Sequence, residues 1–197
     1  MGTLNITIKN YDSIITELKK TKSRGEKIVN RTIGDFKSRG PGWVSQEVVK
    51  EYNIKKSDVN EHKKDAKNKG SIKVRGVKLD NIQIIYKGRV LTPTHFGMKP
   101  KTRPKKGPYI VTAQIKKNEP RKSLGQSVFL AKAGGEGTTQ IPWQRDGNVK
   151  RLPVLVVKTL SVPQMITNEK VSEGIYSRIN EEMGKRLAHN MERIMKK

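Results

Sequence analysis

The chain contains no cysteine, which excludes disulfides and thiolate metal sites alike. Aromatic residues make up only 5% and hydrophobic residues of all kinds only 33%, below the average for compact globular domains. A length of 197 residues suits one domain with a thin core, which favours a protein stabilised partly by neighbours in an assembly. No apolar run approaches the roughly 20 residues that span a bilayer, so no membrane partner is expected. Met1 to Lys9 lacks the apolar core of a signal peptide, and the expectation is a protein made and assembled in the cytoplasm.

Groups for catalysis are scarce as well. His62, His95 and His189 are the only histidines, and no two of them share a metal-binding spacing. His95, within Thr92-Pro93-Thr94-His95-Phe96, sits beside apolar residues and reads as a packed turn residue. Neither a phosphate-cradling glycine loop nor a nucleophile elbow is present. The chain is therefore expected to be no enzyme, with no catalytic residue, cofactor or metal ligand.

What the sequence does have is positive charge. Forty-two Lys and Arg stand against 18 Asp and Glu, a formal net charge of +24. Self-repulsion on that scale opposes compactness, so a polyanion or an acidic neighbouring subunit is expected as partner. Nucleic acid is the commonest such partner, because cations that neutralise phosphates release counterions. The competing explanation is a lysine-favouring composition in which Lys serves solubility. No acidic residue occurs between Asp80 and Glu119, whereas that stretch holds Lys87, Arg89, Lys116, Lys117 and the densest cluster, Lys99-Pro-Lys-Thr-Arg-Pro-Lys-Lys106. The two prolines hold Lys99, Lys101, Arg103, Lys105 and Lys106 in an extended loop, which can track phosphates or face a partner without reading bases.

The periodicities predict an α+β fold: N-terminal helices, a central mainly antiparallel β-sheet or small barrel, and a long C-terminal helix. Residues 1–69 form a helical N-terminal region, 70–168 a basic β-rich core and 169–197 the C-terminal helix, together one domain. A first helix is predicted from about Asp12 to Phe36, with Ile14, Ile15, Leu18, Ile28, Val29, Ile33 and Phe36 as its apolar stripe. Gly40-Pro41-Gly42 is expected to break the chain before a second helix, Ser45 to Tyr52, with Glu47 near its positive end. A third helix is expected from Ser57-Asp58 to about Lys67. Strands are predicted around Ile72, Val74 and Val77, around Ile82, Ile84 and Tyr86, and most clearly at Tyr109 to Ile115. Others are expected at Gln126 to Ala131, Thr138 to Trp143 and Pro153 to Lys158, with Gly134 to Gly137 as a hairpin loop. From Glu169 to Met195, Val171, Ile175, Ile179, Met183, Leu187, Met191 and Ile194 fall on one face of a helix that Thr167 or Asn168 can cap. Its charges nearly balance, which marks a packing or subunit-contact element.

Gln46 to His62 has helix-turn-helix spacing, with Asn53 at the turn, Val49, Ile54 and Val59 at core positions, and Lys55, Lys56, Lys63 and Lys64 placed for phosphates. Any two helices joined by a tight turn give the same pattern, and Val49 is bulkier than the small residue usual there. A DNA-binding regulatory protein is the alternative function on this basis.

A more specific pattern runs through the β region. Gly88-Arg-Val-Leu-Thr-Pro-Thr-His-Phe96 is followed by Lys99-Pro100-Lys101, Tyr109 to Lys117, Arg121-Lys-Ser-Leu124 and Phe129-Leu-Ala131. Trp143-Gln-Arg145, Leu152-Pro-Val154 and Ser161-Val-Pro-Gln-Met165 complete the order before the last helix. This succession resembles the phage minor tail protein Z family, from about Gly70 to the C-terminus, with a looser fit before it. The resemblance implies a structural virion protein, a tail-completion or neck component at the head-proximal end of a phage or phage-like tail. It further implies a homo-oligomeric, sixfold ring around the DNA path, beside tail-tube, tail-terminator or head-connector proteins, with non-specific duplex DNA in its lumen. The lysine content exceeds that expected of the family, which leaves open whether the charge faces DNA or acidic neighbouring rings.

Overall fold

The computed structural model describes residues 2–6, 16, 18, 20, 21, 23–60, 71–75, 82–133, 139–145 and 153–196. They form an α+β domain with an N-terminal helix, antiparallel sheets in the middle and helices at the C-terminus. Strands β1 (Gly2–Ile6), β2 (Ser71–Arg75) and β3 (Ile82–Lys87) make a three-stranded antiparallel sheet in the order β1-β3-β2. β4 (Thr112–Ala113) and β5 (Lys122–Ser123) pair alone, and β6 (Val128–Lys132), β7 (Gln140–Arg145) and β8 (Val154–Val156) form a second three-stranded antiparallel sheet. The helices are α1 (Ser23–Glu51), α2 (Lys56–Val59), α3 (Val162–Ile166) and α4 (Glu169–Met195).

Helix α1 corrects the expected break at Gly40-Pro41-Gly42, because it runs through that triplet without interruption. Proline disfavours a helical conformation in the preceding residue partly by a clash with its Cβ, and here that residue is glycine. Gly40 also lets the sheet come close, since a Cβ there would stand 3.1 Å from Ile84 Cδ1. Ser45 to Glu51 is therefore the last part of one long helix, and Glu47 lies toward its C-terminal end, not at a positive N-terminus. The carboxylate is held instead by Lys50 at 2.6 Å and by Arg178 of α4 at 3.3 Å.

Helices α1 and α4 pack antiparallel. Glu51 meets Lys170, Glu47 meets Gly174 and Arg178, Ile28 clusters with Leu187, and Thr32 and Asp35 meet Asn190. The stripe Val171, Ile175, Ile179, Met183 and Leu187 is buried, the first four residues in the main core and Leu187 in a smaller cluster with Leu18 and Ile28. Steps of four residues drift by about 40° each on a helix of 3.6 residues per turn, so the row must eventually step back by three. It does so at Asn190, which is buried, while Met191 is only half-buried. Asn168 occupies the position before α4 without a capping side-chain bond. A real capping box lies one helix earlier: Ser161 Oγ accepts from the Gln164 amide, and Gln164 Oε1 accepts from the Ser161 amide.

The main core lies between α1, α3, α4 and the β1-β3-β2 sheet. β3 alternates as a one-sided strand should, with Ile82, Ile84 and Tyr86 buried. The Tyr86 hydroxyl has no hydrogen-bond partner among the described residues, and burial pushes its phenol above the ordinary tyrosine range. The Tyr52 phenol is also raised, first by burial and then by the Glu51 and Glu119 carboxylates. Unfolded tyrosine ionises near pH 10, so above that pH the unfolded chain binds fewer protons than the folded one and stability falls. Tyr86→Phe removes one of these groups together with an unpaired buried hydroxyl. It should raise stability at neutral pH by about 1 kcal/mol and soften the alkaline decline, both measurable by urea unfolding across pH 7 to 11. A loss of stability at pH 7 would show that the hydroxyl is satisfied.

Two other expectations change. The third helix ends at Val59, where the Asn60 amide closes back on Lys56 and the Asn60 side chain donates to Ser45 Oγ at 2.9 Å; Glu61 to Lys67 lie outside the described residues. Tyr109 to Ile115 is extended, yet only Thr112 and Ala113 count as strand, because its partners change along its length. Val111 accepts from Leu124, Thr112 exchanges bonds with Lys99, Gln114 donates to Phe96, and Ile115 accepts from Asn53. Ile14, Ile15, Val77 and Gly134 to Gly137 also lie outside the described residues.

Candidate nucleic-acid or partner interface

The cluster Lys99 to Lys106 is a surface loop with a fixed base. At its entrance Gly97 has a φ of +61°, and a Cβ there would stand 2.7 Å from the side-chain Nδ2 of Asn53. The positive φ favours glycine at this position, and any side chain would also have to displace Asn53. The Arg121 guanidinium donates to the Gly97 carbonyl, and Lys99 and Thr112 exchange backbone bonds of 2.8 and 2.9 Å across an antiparallel bridge. The Lys99–Pro100 peptide is cis. Midway, the Arg103 amide donates to Gln140 Oε1 of β7 at 2.6 Å. The exit turns at Gly107, with φ +80°, into Tyr109, whose hydroxyl accepts from the Leu130 amide. Beneath the loop, Met98, Val111, Val128 and Leu130 form a small separate core. Residues 101–108 are all exposed on this anchored frame.

The five side chains Lys99, Lys101, Arg103, Lys105 and Lys106 make no ion pair with a carboxylate among the described residues, and neither do Lys87, Arg89 and Lys158. Some cations elsewhere are matched. Glu119 takes Lys116 and Lys122 within its own turn and is held below the usual carboxylate range by the Lys122 hydrogen bond first of all. On the helical side Lys50, Lys170, Arg178, Lys185 and Lys196 all have carboxylate partners. Carboxylates thus compensate part of the charge where α1 and α4 meet, whereas the cations of the Lys99–Lys106 loop and Lys87, Arg89 and Lys158 beside the second sheet have no such partner among the described residues. Such a surface attracts polyanions at long range.

A groove of about 1330 Å³ lies along the segment Lys87–His95, opposite Thr139, Ile141 and Val156 of the second sheet and the start of α3. Periodicity gave no sign of it, because its walls come from segments spread over residues 87–167. Val90 bridges to Ser161, and Leu91 exchanges backbone bonds with Leu160 and Thr159. Two pieces of the family-like pattern, Gly88 to Phe96 and Ser161 to Met165, therefore meet at one place. A smaller cavity of about 130 Å³ adjoins it, lined by Asp58, Tyr86 and His95 among others.

His95 ends a short 3₁₀ turn, Pro93–His95, and its Nδ1 lies 3.2 Å from Asp58 Oδ2, tying that turn to α2. His189 is exposed and His62 lies outside the described residues. No group of three or more His, Cys, Asp or Glu side chains placed to hold a metal ion occurs among the described residues. In the segment with helix-turn-helix spacing, Ile54 and Val59 are buried and Lys55 and Lys56 exposed, but the second helix is four residues long. One turn is too short to lie along a major groove as a recognition helix does. Lys63 and Lys64 lie outside the described residues. Comparison of the chain with protein-family models, with curated proteins and with solved structures finds no match.

Proposed function

We propose that this chain is a structural virion protein, a tail-completion or neck component at the head-proximal end of a phage or phage-like tail, assembled as a ring around the DNA path. The observation that carries the proposal is the exposed Lys99–Lys106 loop, whose five cations make no ion pair with a carboxylate among the described residues and whose base is fixed by backbone bonds. A rigid frame holding an exposed cationic loop suits a lumen through which a polyanion passes, since phosphate contacts of this kind position a duplex without reading it. It suits an acidic neighbouring ring equally in electrostatic terms. The ordered resemblance of the β region to minor tail protein Z supports the choice of particle, and it is the only support for the sixfold ring and for tail-tube, terminator or connector neighbours.

Electron microscopy of particles carrying a gold-labelled or enlarged version of the chain tests the reading directly. Label at the junction of head and tail is the expected result, and a strain lacking the chain should accumulate unjoined heads and tails. Label on the capsid or the tail tip, or normal particles without the chain, would overturn it.

A further inference from the structure

Strand alternation gives the β6-β7-β8 sheet two faces with different neighbours. Gln140 shares its face with Leu130, through the pairs Lys132 with Gln140 and Leu130 with Pro142, and there it holds the basic loop by the Arg103 amide. Thr139 and Ile141 belong to the opposite face, with Val156, and form one wall of the 1330 Å³ groove. Loop and groove are thus two basic sites on opposite faces of one sheet.

Three exposed cations, Lys87, Arg89 and Lys158, line the groove, and no carboxylate stands among its described lining residues. Between them the surface is mixed: Leu91, Ile141, Val156, Pro163 and Val90, which is 39% exposed, form an apolar strip beside the polar side chains of Thr92, Thr94, Thr139, Ser161 and Gln164. The Asp58 carboxylate, held by His95, faces the smaller adjoining cavity.

We propose that this groove binds an extended acidic segment of a partner protein in which carboxylate and apolar side chains alternate. The volume exceeds the roughly 300 to 1,000 Å³ of sites for single small ligands, which points to a length of polymer. Uncompensated cations on the walls set its sign. The apolar surface decides between polymers, since a phosphodiester backbone has nothing to bury against Val90, Ile141 and Val156. An extended peptide turns successive side chains to opposite sides, so one set reaches the cations while the other covers the apolar strip. This site is separate from the loop, and the inference stands whether or not the chain belongs to a phage tail.

Fluorescence anisotropy on the full chain tests it with three labelled probes: a decapeptide alternating Glu and Val, one alternating Glu and Ser, and a short DNA duplex. The Glu–Val peptide should bind most tightly of the two peptides. Replacing Lys87, Arg89 and Lys158 together with Gln should weaken it roughly tenfold, whereas the same change at Lys101, Arg103, Lys105 and Lys106 should leave it nearly unaltered. Val90→Ser keeps every charge and should weaken the Glu–Val peptide by about fivefold without affecting the Glu–Ser peptide, which guards against misfolding of the triple variant. Equal binding of the two peptides, or peptide binding indifferent to the groove substitutions, would overturn the proposal. So would duplex binding that depends on the groove cations when peptide binding does not, since the groove would then be a nucleic-acid surface.

Discussion

Replacing Lys99, Lys101, Arg103, Lys105 and Lys106 together with glutamine is expected to flatten the salt dependence of duplex DNA binding by as much as about 4.5 in log K against log salt. Each cation that neutralises a phosphate releases condensed counterions, and the five side chains here make no ion pair with the chain's own described carboxylates. Over a fourfold rise in salt the unmodified protein should then lose about 500-fold more affinity than the variant. Binding should be indifferent to duplex sequence, because an extended loop meets phosphates and not base edges.

The fold should be untouched by the change. Residues 101–108 are exposed, and the tethers at Lys99 and Arg103 run through backbone atoms that glutamine keeps. Exposed substitutions of this kind move stability by no more than about 0.5 kcal/mol each. Titrations at several salt concentrations, with thermal melts alongside, read both quantities. An unchanged slope would reduce the loop to a solvated surface, and particle joining by the same variant would then be expected to proceed normally.

Phe36→Ala is the substitution with the largest expected effect on stability, a loss of about 3 to 5 kcal/mol. The ring is fully buried where α1 crosses the first sheet. It meets Trp43 edge-on at a centroid distance of 6.2 Å, and its atoms lie 3.5 Å from where a Cβ on Gly40 would stand. Gly40, which faces the ring, has no side chain to close around the hole, so the surroundings can relax only partly. For a domain of this size the loss corresponds to a fall in melting temperature of roughly 6 to 20 °C. Since small proteins are stable by only about 5 to 15 kcal/mol, the variant should be close to unfolded at moderate urea. A fall below 1 kcal/mol would mean that α1 is not anchored to the sheet by this ring.

The long C-terminal helix was the most legible element, from Glu169 to Met195, because a stripe of five buried residues four apart has no other reading. The α+β class was equally legible, since the apolar period changes from 3.6 to 2 near Gly70. Local signals mislead where contacts distant in sequence outweigh them. Gly40-Pro41-Gly42 looks like a break to any propensity scale, yet the helix runs through it with Gly40 and Pro41 buried and Gly40 packed against Ile84 of the sheet. Tyr109 to Ile115 has strand composition but pairs in fragments with three different segments, and composition carries no information about partners. The capping box at Ser161 and Gln164 was present as Ser-Val-Pro-Gln and could have been read from its spacing. β1 gave no such signal, because five residues at a chain end become a strand only when β3 is there to pair with them.

For the candidate site, the sequence by itself determined the sign of the charge, its concentration between Asp80 and Glu119, and the exposure of the Lys99–Lys106 loop. Those are properties of composition and of proline, which act locally. Only the tertiary structure decided which cations are neutralised, because Glu47 reaches Arg178 and Glu51 reaches Lys170 across more than a hundred residues. It alone also placed the loop and the groove on opposite faces of one sheet. Alternation along a strand fixes which side chains share a face, but pairing with other strands decides what each face meets.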